Sequence, residues 1–392
     1  MNIGLFTETY YPEINGVAAS VYVLKEELEK QGHNVYVFTT TSPGAPKEEK
    51  NVYRVHSLPC ILLSDRRVGM LYQRKIAAAM KKLDLDVIHT NTEFSLGVFG
   101  RIMAKELKIP IVHTYHTIYE DYTHYLTKGF LLDNKAKKAV RIFSKVCCNT
   151  VDEVIAPTDK VKELLRKYHV RRDIKVIPSG INLDKFNRLN YSEDEVAAIR
   201  EEYGISKENK VILYLGRVSQ EKNIEELIGY MPAYITKHKD VKFVIIGDGP
   251  ESNRLKSLVK EAGCEESILF LGEKPYDEVG KYYQIGDVFV SASNSETQGL
   301  TFIEAMASEL PVIAKEDRCL DGILEEGENG YFFQDEKEFC GALDEILYAG
   351  RESEYRLNAK ETAERFSTYN FAQAILKVYE DVIERRELKD AR

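Results

Sequence analysis

The feature that most limits what this chain can fold into is an alternation of short, uninterrupted apolar runs with amphipathic stretches, kept up along most of its length. The runs lie at Ile3–Phe6, Val35–Phe38, Val52–Val55, Asp86–His89, Pro110–Thr114, Glu153–Ala156 and Ile174–Ile177. A second series follows at Val211–Leu215, Lys242–Ile246, Ile268–Leu271, Asp287–Ser291 and Pro311–Ala314. They are rich in Val and Ile and do not alternate apolar with polar, the pattern of parallel strands covered on both faces. Helical periodicity fills the gaps, for example at Ala18–Lys30, Ile224–Thr236, Glu251–Glu261 and Glu338–Tyr348. This predicts an α/β protein with helices on both faces of parallel sheets. Residues 181–210 lose the rhythm, with Tyr191–Tyr203 reading as one charged helix. A length of 392 residues exceeds one core and suits two. The reading is two doubly wound, Rossmann-like domains, 1–185 and 186–370, followed by 371–392, where Phe371–Arg386 is helix-like with no strand after it. A central cleft between the domains is the expected binding site.

Composition removes several classes. No apolar stretch approaches the roughly 18 residues needed to span a bilayer, and Met1–Phe6 has no basic segment of the secretory kind. The six cysteines, at 60, 147, 148, 264, 319 and 340, form no CxxC pair, which speaks against a zinc cluster or disulfide framework and for reduced thiols in a cytoplasmic protein. The net charge is −9, but it is unevenly spread: residues 1–190 carry 29 Lys+Arg against 21 Asp+Glu, and the remainder carries 25 against 42. A basic first half points to an anionic surface as its partner. Nucleic acid is not expected, because the whole chain is acidic and no recognition module is visible.

Several strand ends carry candidate chemistry. After the first run, Thr7–Val17 closes on Gly16 before a helix at Ala18, so backbone N–H groups there suit a phosphate; taken alone, this stretch reads as a plain turn. It lacks a GxGxxG fingerprint, which weakens a nicotinamide cofactor. Arg217 and Lys222 leave the end of run Val211–Leu215, where open α/β sheets bind ligands, and two cations there suit a diphosphate; Asn223 and Glu226 read as a capping box for the next helix. In Ser293–Met306, Glu296 falls on a turn, Gly299, Leu300 and Thr301 would aim N–H groups at an anion, and Glu304 lies one helical turn in. Carboxylates there could hold sugar hydroxyls, although Glu304 alone equally suits a helix dipole. Three of the eight histidines, His113, His116 and His124, cluster after Pro110–Thr114, His113 as an interior residue and His116 as a candidate sugar contact. Metal-ligand spacing is not evident, so no metal site is expected.

Two basic stretches complete the set. In Arg67–Leu83 a helix would place Arg67, Arg74, Lys75, Lys81 and Lys82 opposite an apolar face. In Lys135–Val146, Lys137, Lys138, Arg141 and Lys145 would oppose Ala136, Ala139, Val140, Phe143 and Val146. Such stretches suit an anionic membrane surface, or a core-facing stripe with a solvated basic face.

The spacing of Glu296 and Glu304, with Gly299-Leu300 between, resembles the EX7E signature of retaining glycosyltransferases with the GT-B fold. Gly216-Arg217, Lys222, the Gly16 turn and Ile246-Gly247-Asp248-Gly249-Pro250 match the same family, over essentially the whole chain. Within it, Phe6–Pro12, His89–Gly97, His113–Thr117 and Tyr119-Glu120-Asp121-Tyr122 look like the diacylglycerol glucosyltransferases of Gram-positive bacteria. That resemblance implies transfer of glucose from UDP-glucose to the sn-3 hydroxyl of 1,2-diacylglycerol, giving the α-linked glycolipid that anchors lipoteichoic acid. It implies a GT-B fold whose last helix crosses back to the first domain. Carried over, Arg217 and Lys222 would neutralise the donor diphosphate, and Gly16, Gly299, Leu300 and Thr301 would hold phosphates or sugar. Glu296 would hold the transferred sugar, Glu304 the ribose, and His116 the sugar near the acceptor hydroxyl, while backbone around Lys274 and Pro275 would read the uracil. Tyr119, Asp121, Arg67, Arg74, Lys137, Lys138 and Arg141 would face acceptor and membrane. No cofactor is obligatory, because the two cations do what a metal does elsewhere; Mg²⁺ would at most stimulate. The enzyme would sit on the inner face of the cell membrane. A soluble sugar acceptor, a different donor sugar or a UDP-sugar epimerase are the alternatives.

Overall fold

The computed structural model describes all residues except 14, 47–48, 60–66, 70–72, 123–129, 294 and 392. The chain forms two compact units, Met1–Gly180 with Thr368–Arg392, and Ile181–Ser367.

Among the described residues the first unit carries a seven-stranded sheet in the order β3-β2-β1-β6-β7-β8-β9, with every pair parallel. Its strands are β1 (Asn2–Phe6), β2 (Asn34–Thr40), β3 (Val52–Val55), β6 (Val87–Thr90), β7 (Ile111–Thr114), β8 (Glu153–Ala156) and β9 (Ile174–Val176). The register sets Ile3 beside Val35 and Val87, so branched side chains stack across the sheet. One face packs Phe6, Phe38 and Phe99. The other packs Val21, Leu24 and Leu28 of helix Gly16–Lys30 together with Phe371, Ile375 and Tyr379 of helix Thr368–Asp390. That last helix is further tied by Arg385 to the buried carboxylate of Glu153 at 2.5 Å.

The second unit repeats the plan. Its six strands are β10 (Lys210–Leu215), β11 (Val241–Ile246), β12 (Ile268–Gly272), β13 (Val288–Ser291), β14 (Val312–Lys315) and β15 (Gly330–Phe333), in the all-parallel order β12-β11-β10-β13-β14-β15. All twelve runs read from the sequence are strands, within a residue or two at their ends.

Three expectations need correction. The helix expected over 67–83 is shorter: Arg67–Gly69 (β5) pairs antiparallel with Ser57–Pro59 (β4), and only Arg74–Met80 is helical. Strand β15 was not foreseen; Gly330 sits so close to Val312 that a Cβ would lie 1.9 Å from its carbonyl oxygen. The boundary falls at Gly180 rather than 185, because Ile181 bridges to Ser367 and Phe186 is buried with Tyr283 and Leu213 of the second unit.

Candidate active site

In the second unit the candidate residues gather at the carboxyl ends of β10 to β13. Gly216 and Gly247, at the ends of β10 and β11, have φ of 155° and 132°. A Cβ on Gly247 would lie 1.9 Å from the Gly216 carbonyl oxygen, and one on Gly249 2.3 Å from that of Val218. The turns after the two strands therefore cross backbone on backbone, joined by Gly216 N–H to Ile246 O at 2.9 Å and Val218 N–H to Asp248 O at 3.0 Å. This crossing fixes Arg217, whose exposed side chain leaves a main chain held by the Tyr214 hydroxyl at 3.0 Å.

Lys222 and Glu296, far apart in sequence, are brought together: Lys222 Nζ donates to Glu296 Oε1 at 2.5 Å, both half-buried. The capping box expected at Asn223 and Glu226 is absent. Asn223 is left-handed at φ 50° and does not cap the helix; its amide instead donates to Glu226, which Lys315 also grips at 2.6 Å. Gly299 turns at φ 72° under the ring of Phe302, and helix Leu300–Ala307 starts there. As in any helix, the first-turn N–H groups, here of Leu300 and Thr301, have no intrahelical acceptor.

Glu304 is buried on this helix, and the Tyr283 hydroxyl donates to its Oε2 at 2.8 Å. Burial pushes its carboxyl up to about 7, against the hydrogen bond from Tyr283 and the charge of Lys185. Lys274 turns to the Tyr203 hydroxyl at 2.8 Å, so its ammonium is occupied, and the exposed Pro275 precedes the short turn Tyr276–Glu278. Sequence reading missed Lys185 and Tyr283, which no periodicity singles out. Ser293 and Ser295, named only as part of the run Ser293–Met306, carry hydroxyls buried without a hydrogen-bond partner among the described residues.

In the first unit, helix Gly16–Lys30 begins at Gly16, two residues before the expected Ala18. Asn15 caps it, accepting from Ala18 N at 2.9 Å, and Gly16 is not left-handed, so a plain turn chosen for positive φ is excluded. His116, after β7, shares a 3.0 Å hydrogen bond between Nε2 and Asn91 Oδ1. An amide oxygen only accepts, so Nε2 carries the proton and Nδ1 is left as an acceptor. Burial and the neighbouring His113 push His116 down to about 3, which keeps the ring neutral. His113 is interior, 3.2 Å from Glu93 Oε1, and the Tyr119 hydroxyl is committed to the same carboxylate. His89 bridges the Tyr379 hydroxyl at 2.6 Å and that of Thr114 at 2.7 Å. Glu8, quoted only as part of a turn, reaches across to cap helix Ser95–Leu107, accepting from Leu96 N at 2.5 Å.

Helix Phe130–Asn149 shows which side is covered, with Phe143 and Val146 of the expected apolar side left exposed. Its buried side carries Ser144, Cys147 and Cys148, whereas Ile142, Phe143 and Val146 are 54%, 37% and 54% exposed, with Phe94 beside Phe143 at 5.8 Å between ring centres and 44% exposed. Lys138 is exposed, Lys137 is half-buried, and Arg141 pairs with Glu120 at 2.5 Å. Arg74 is exposed at the start of its helix, while the side chains of Arg67 and Asp121 and the whole of His124 lie outside the described residues. Among the described residues no cluster of three or more His, Cys, Asp or Glu could hold a metal ion.

Residues 14–185 match the family described as Glycosyltransferase Family 4, and 195–366 the family described as Glycosyl transferases group 1. The chain is 40% identical to an alpha-monoglucosyldiacylglycerol synthase of Streptococcus pneumoniae, over 98% of this chain and 86% of that protein. The chain belongs to the GT-B glycosyltransferases. A second alpha-monoglucosyldiacylglycerol synthase, from Acholeplasma laidlawii, is 36% identical over 99% of both chains. The fold agrees: Anabaena HepE in complex with UDP-glucose superposes with a TM-score of 0.77 at 18% identity, covering 97% of this chain and 100% of that one. A sucrose-phosphate synthase from Thermosynechococcus elongatus superposes at 0.76 with 22% identity, covering 98% and 99%. This glycosyltransferase is a hexosyltransferase by family, and the EX7E residues Glu296 and Glu304 lie on either side of its Gly299 turn.

Proposed function

We propose that this glycosyltransferase moves glucose from UDP-glucose to the sn-3 hydroxyl of 1,2-diacylglycerol, with retention, at a membrane surface. The observation that carries the reading is full-length similarity to two alpha-monoglucosyldiacylglycerol synthases, at 40% and 36% identity.

The chemistry follows from the residues. A departing nucleoside diphosphate needs charge stabilisation more than it needs a strong base. Arg217 is exposed at the end of β10 to meet it, and Lys222 reaches it by giving up part of its bond to Glu296. Glu296, relieved of that cation, accepts hydrogen bonds from the sugar hydroxyls. Leu300, Thr301 and Gly16 offer helix-start N–H groups to phosphate or sugar oxygens. Glu304 holds the ribose, and the backbone near Pro275 the uracil. His116 is neutral at ordinary pH, so it orients a hydroxyl by hydrogen bonding, and the leaving phosphate takes the acceptor proton. Two cations supply what a metal would; Mg²⁺ at most stimulates.

For the membrane, Ile142, Phe143, Val146 and Phe94 present apolar surface next to Lys138, a combination that suits insertion among anionic headgroups. Among the described residues no helix is long and apolar enough to cross a membrane. The attachment proposed is peripheral, on the cytoplasmic face. The test is UDP release from UDP-glucose with and without vesicles of diacylglycerol and an anionic lipid, with products identified by mass spectrometry. The expected result is release only with diacylglycerol and a hexosyl-diacylglycerol product. Release indifferent to lipid would move the acceptor to a soluble molecule.

A further inference from the structure

One buried charge of the second unit has no hydrogen-bond partner. Lys185 lies in the short helix Leu183–Phe186, and its Nζ is shielded from solvent with no acceptor among the described residues. An ammonium so placed has lost its hydration and is tolerated only if nearby charge or π-faces compensate. Nζ stands 3.1 Å from the ring centre of Tyr276 and 5.6 Å from that of Phe186. The carboxylates acting on it are Glu304 and Asp277.

The placement is built into the fold. The Tyr191 hydroxyl donates to Lys185 O at 2.6 Å, and Gly280 packs so close that a Cβ there would lie 2.1 Å from the same oxygen. Gln284 Nε2 donates to both Phe186 O and Gly280 O, at 3.1 and 3.0 Å. Phe186 meets the ring of Tyr283 edge-on, and Tyr283 is the residue that donates to Glu304. Lys185, Tyr283 and Glu304 thus form one interlocked group, with Tyr276 against the lysine.

We propose that Lys185 is a positioning residue of the donor site: its buried ammonium, joined to Glu304 through Phe186 and Tyr283, keeps that carboxylate aimed to accept both ribose hydroxyls of a nucleotide sugar. This rests on the reading of Glu304 as the ribose ligand. An ionised carboxylate is acceptor-only, whereas a protonated one spends an oxygen on donation. Burial drives Glu304 toward protonation, and Lys185 opposes it. The groups facing the pair are few. Tyr283, from helix Val279–Tyr283, and Lys185 act on Glu304; Asp277 acts on Lys185, whose π-contacts are Tyr276 and Phe186; Tyr276 and Tyr214 act on Tyr283.

The experiment is UDP binding by calorimetry between about pH 6 and pH 9, with KM and kcat for UDP-glucose, on the full chain and on Lys185→Met and Lys185→Arg. Methionine keeps the apolar stem and removes the charge. The expected result for Lys185→Met is UDP affinity about tenfold weaker near pH 7, a deficit that closes toward pH 9 as the carboxyl ionises unaided, with KM raised and kcat little changed. Lys185→Arg, which keeps the charge, should restore affinity near pH 7 and the pH profile of the unsubstituted protein. An unchanged pH profile in Lys185→Met overturns the proposal. So does an equal loss at every pH that arginine does not repair, which marks a packing role. If Lys185→Met does not fold, Lys185→Gln takes its place, and a pH profile unchanged from that of the unsubstituted protein overturns the proposal. Failure of the unsubstituted protein to bind UDP overturns the nucleotide-sugar reading as well, so the two failures are separable.

Discussion

At the strand ends of residues 181–367 the candidate side chains carry or can carry charge: Lys222 is paired with Glu296, and the charge of Lys185 acts on Glu304. At the strand ends of residues 1–180 they are held neutral or committed inward. His116 is fixed on Asn91, His113 and Tyr119 share Glu93, and the exposed surface nearby is apolar. The difference follows the two proposed substrates. A diphosphate sugar presents charge and hydroxyls, and a site for it gains from paired charges that exchange partners on binding. A diacylglycerol presents one neutral hydroxyl and long acyl chains, which are served by a neutral hydrogen-bonding ring and an apolar surface.

The backbone offers the sharpest way to break this contrast. Gly247→Ala forces a Cβ to 1.9 Å from Gly216 O at a φ of 132°, so the crossing under Arg217 must open. The expected cost is about 4 kcal/mol, with loss of UDP binding. Gly32→Ala in the first unit is equally left-handed, at φ 85°, but has nothing within 4 Å. It should cost only about 1 kcal/mol and leave UDP binding intact. Chemical denaturation of both variants measures this, and similar losses would sink the claim that the crossing is a donor-site feature. Next in size, Arg217→Ala should lower kcat/KM for UDP-glucose by roughly 2–4 kcal/mol of transition-state stabilisation with the fold intact. Normal turnover by that variant removes Arg217 from the site.

How much of this the sequence discloses depends on whether the signal is local. Strand runs, the Gly299 turn and the spacing from Glu296 to Glu304 lie within short windows, and period and position suffice to read them. Lys185 does not: it sits in the irregular stretch after Ile177, and its meaning depends on Tyr276, Tyr283 and Glu304, about ninety or more residues away. The faces of Phe130–Asn149 are left open by the sequence for another reason. A periodic stripe shows which residues share a side, and packing alone decides which side is covered; here Cys147 and Cys148 go inward and Phe143 stays out. Asn223 and Glu226 fit a capping box by spacing, yet a left-handed Asn223 and a grip by Lys315 redirect both side chains.

That exposed side supplies a prediction of intermediate size. Replacing Ile142, Phe143 and Val146 together by serine removes apolar surface that is already in water, so folding stability should change little. Partition onto anionic vesicles should weaken by about 2 kcal/mol, roughly thirtyfold. Lys138→Glu should add a smaller loss that disappears at high salt. Vesicle sedimentation measures both, and undiminished binding of the triple variant would remove this face from the membrane.

The smallest expected effect separates the two units by the sign of their response to pH. Burial holds His116 at about 3 and His89 and His113 below the ordinary histidine range. In mild acid the unfolded chain therefore binds more protons than the folded one. The stability these rings contribute is complete above about pH 6.5 and is lost as pH falls toward the folded values. Glu304 behaves oppositely: its folded carboxyl sits at about 7, above the ordinary 4.5. The stability from its protonated form is complete below about pH 4.5 and is lost as pH rises through 7. Amide exchange should accordingly show helix Ser95–Leu107 loosening from pH 7 to pH 5 while helix Leu300–Ala307 tightens, each by about 1–2 kcal/mol. His116→Gln should flatten the first slope only, and Glu304→Gln the second only. Parallel slopes in the two helices would mean that the charged and the neutral halves differ in composition alone and not in how burial sets their protonation.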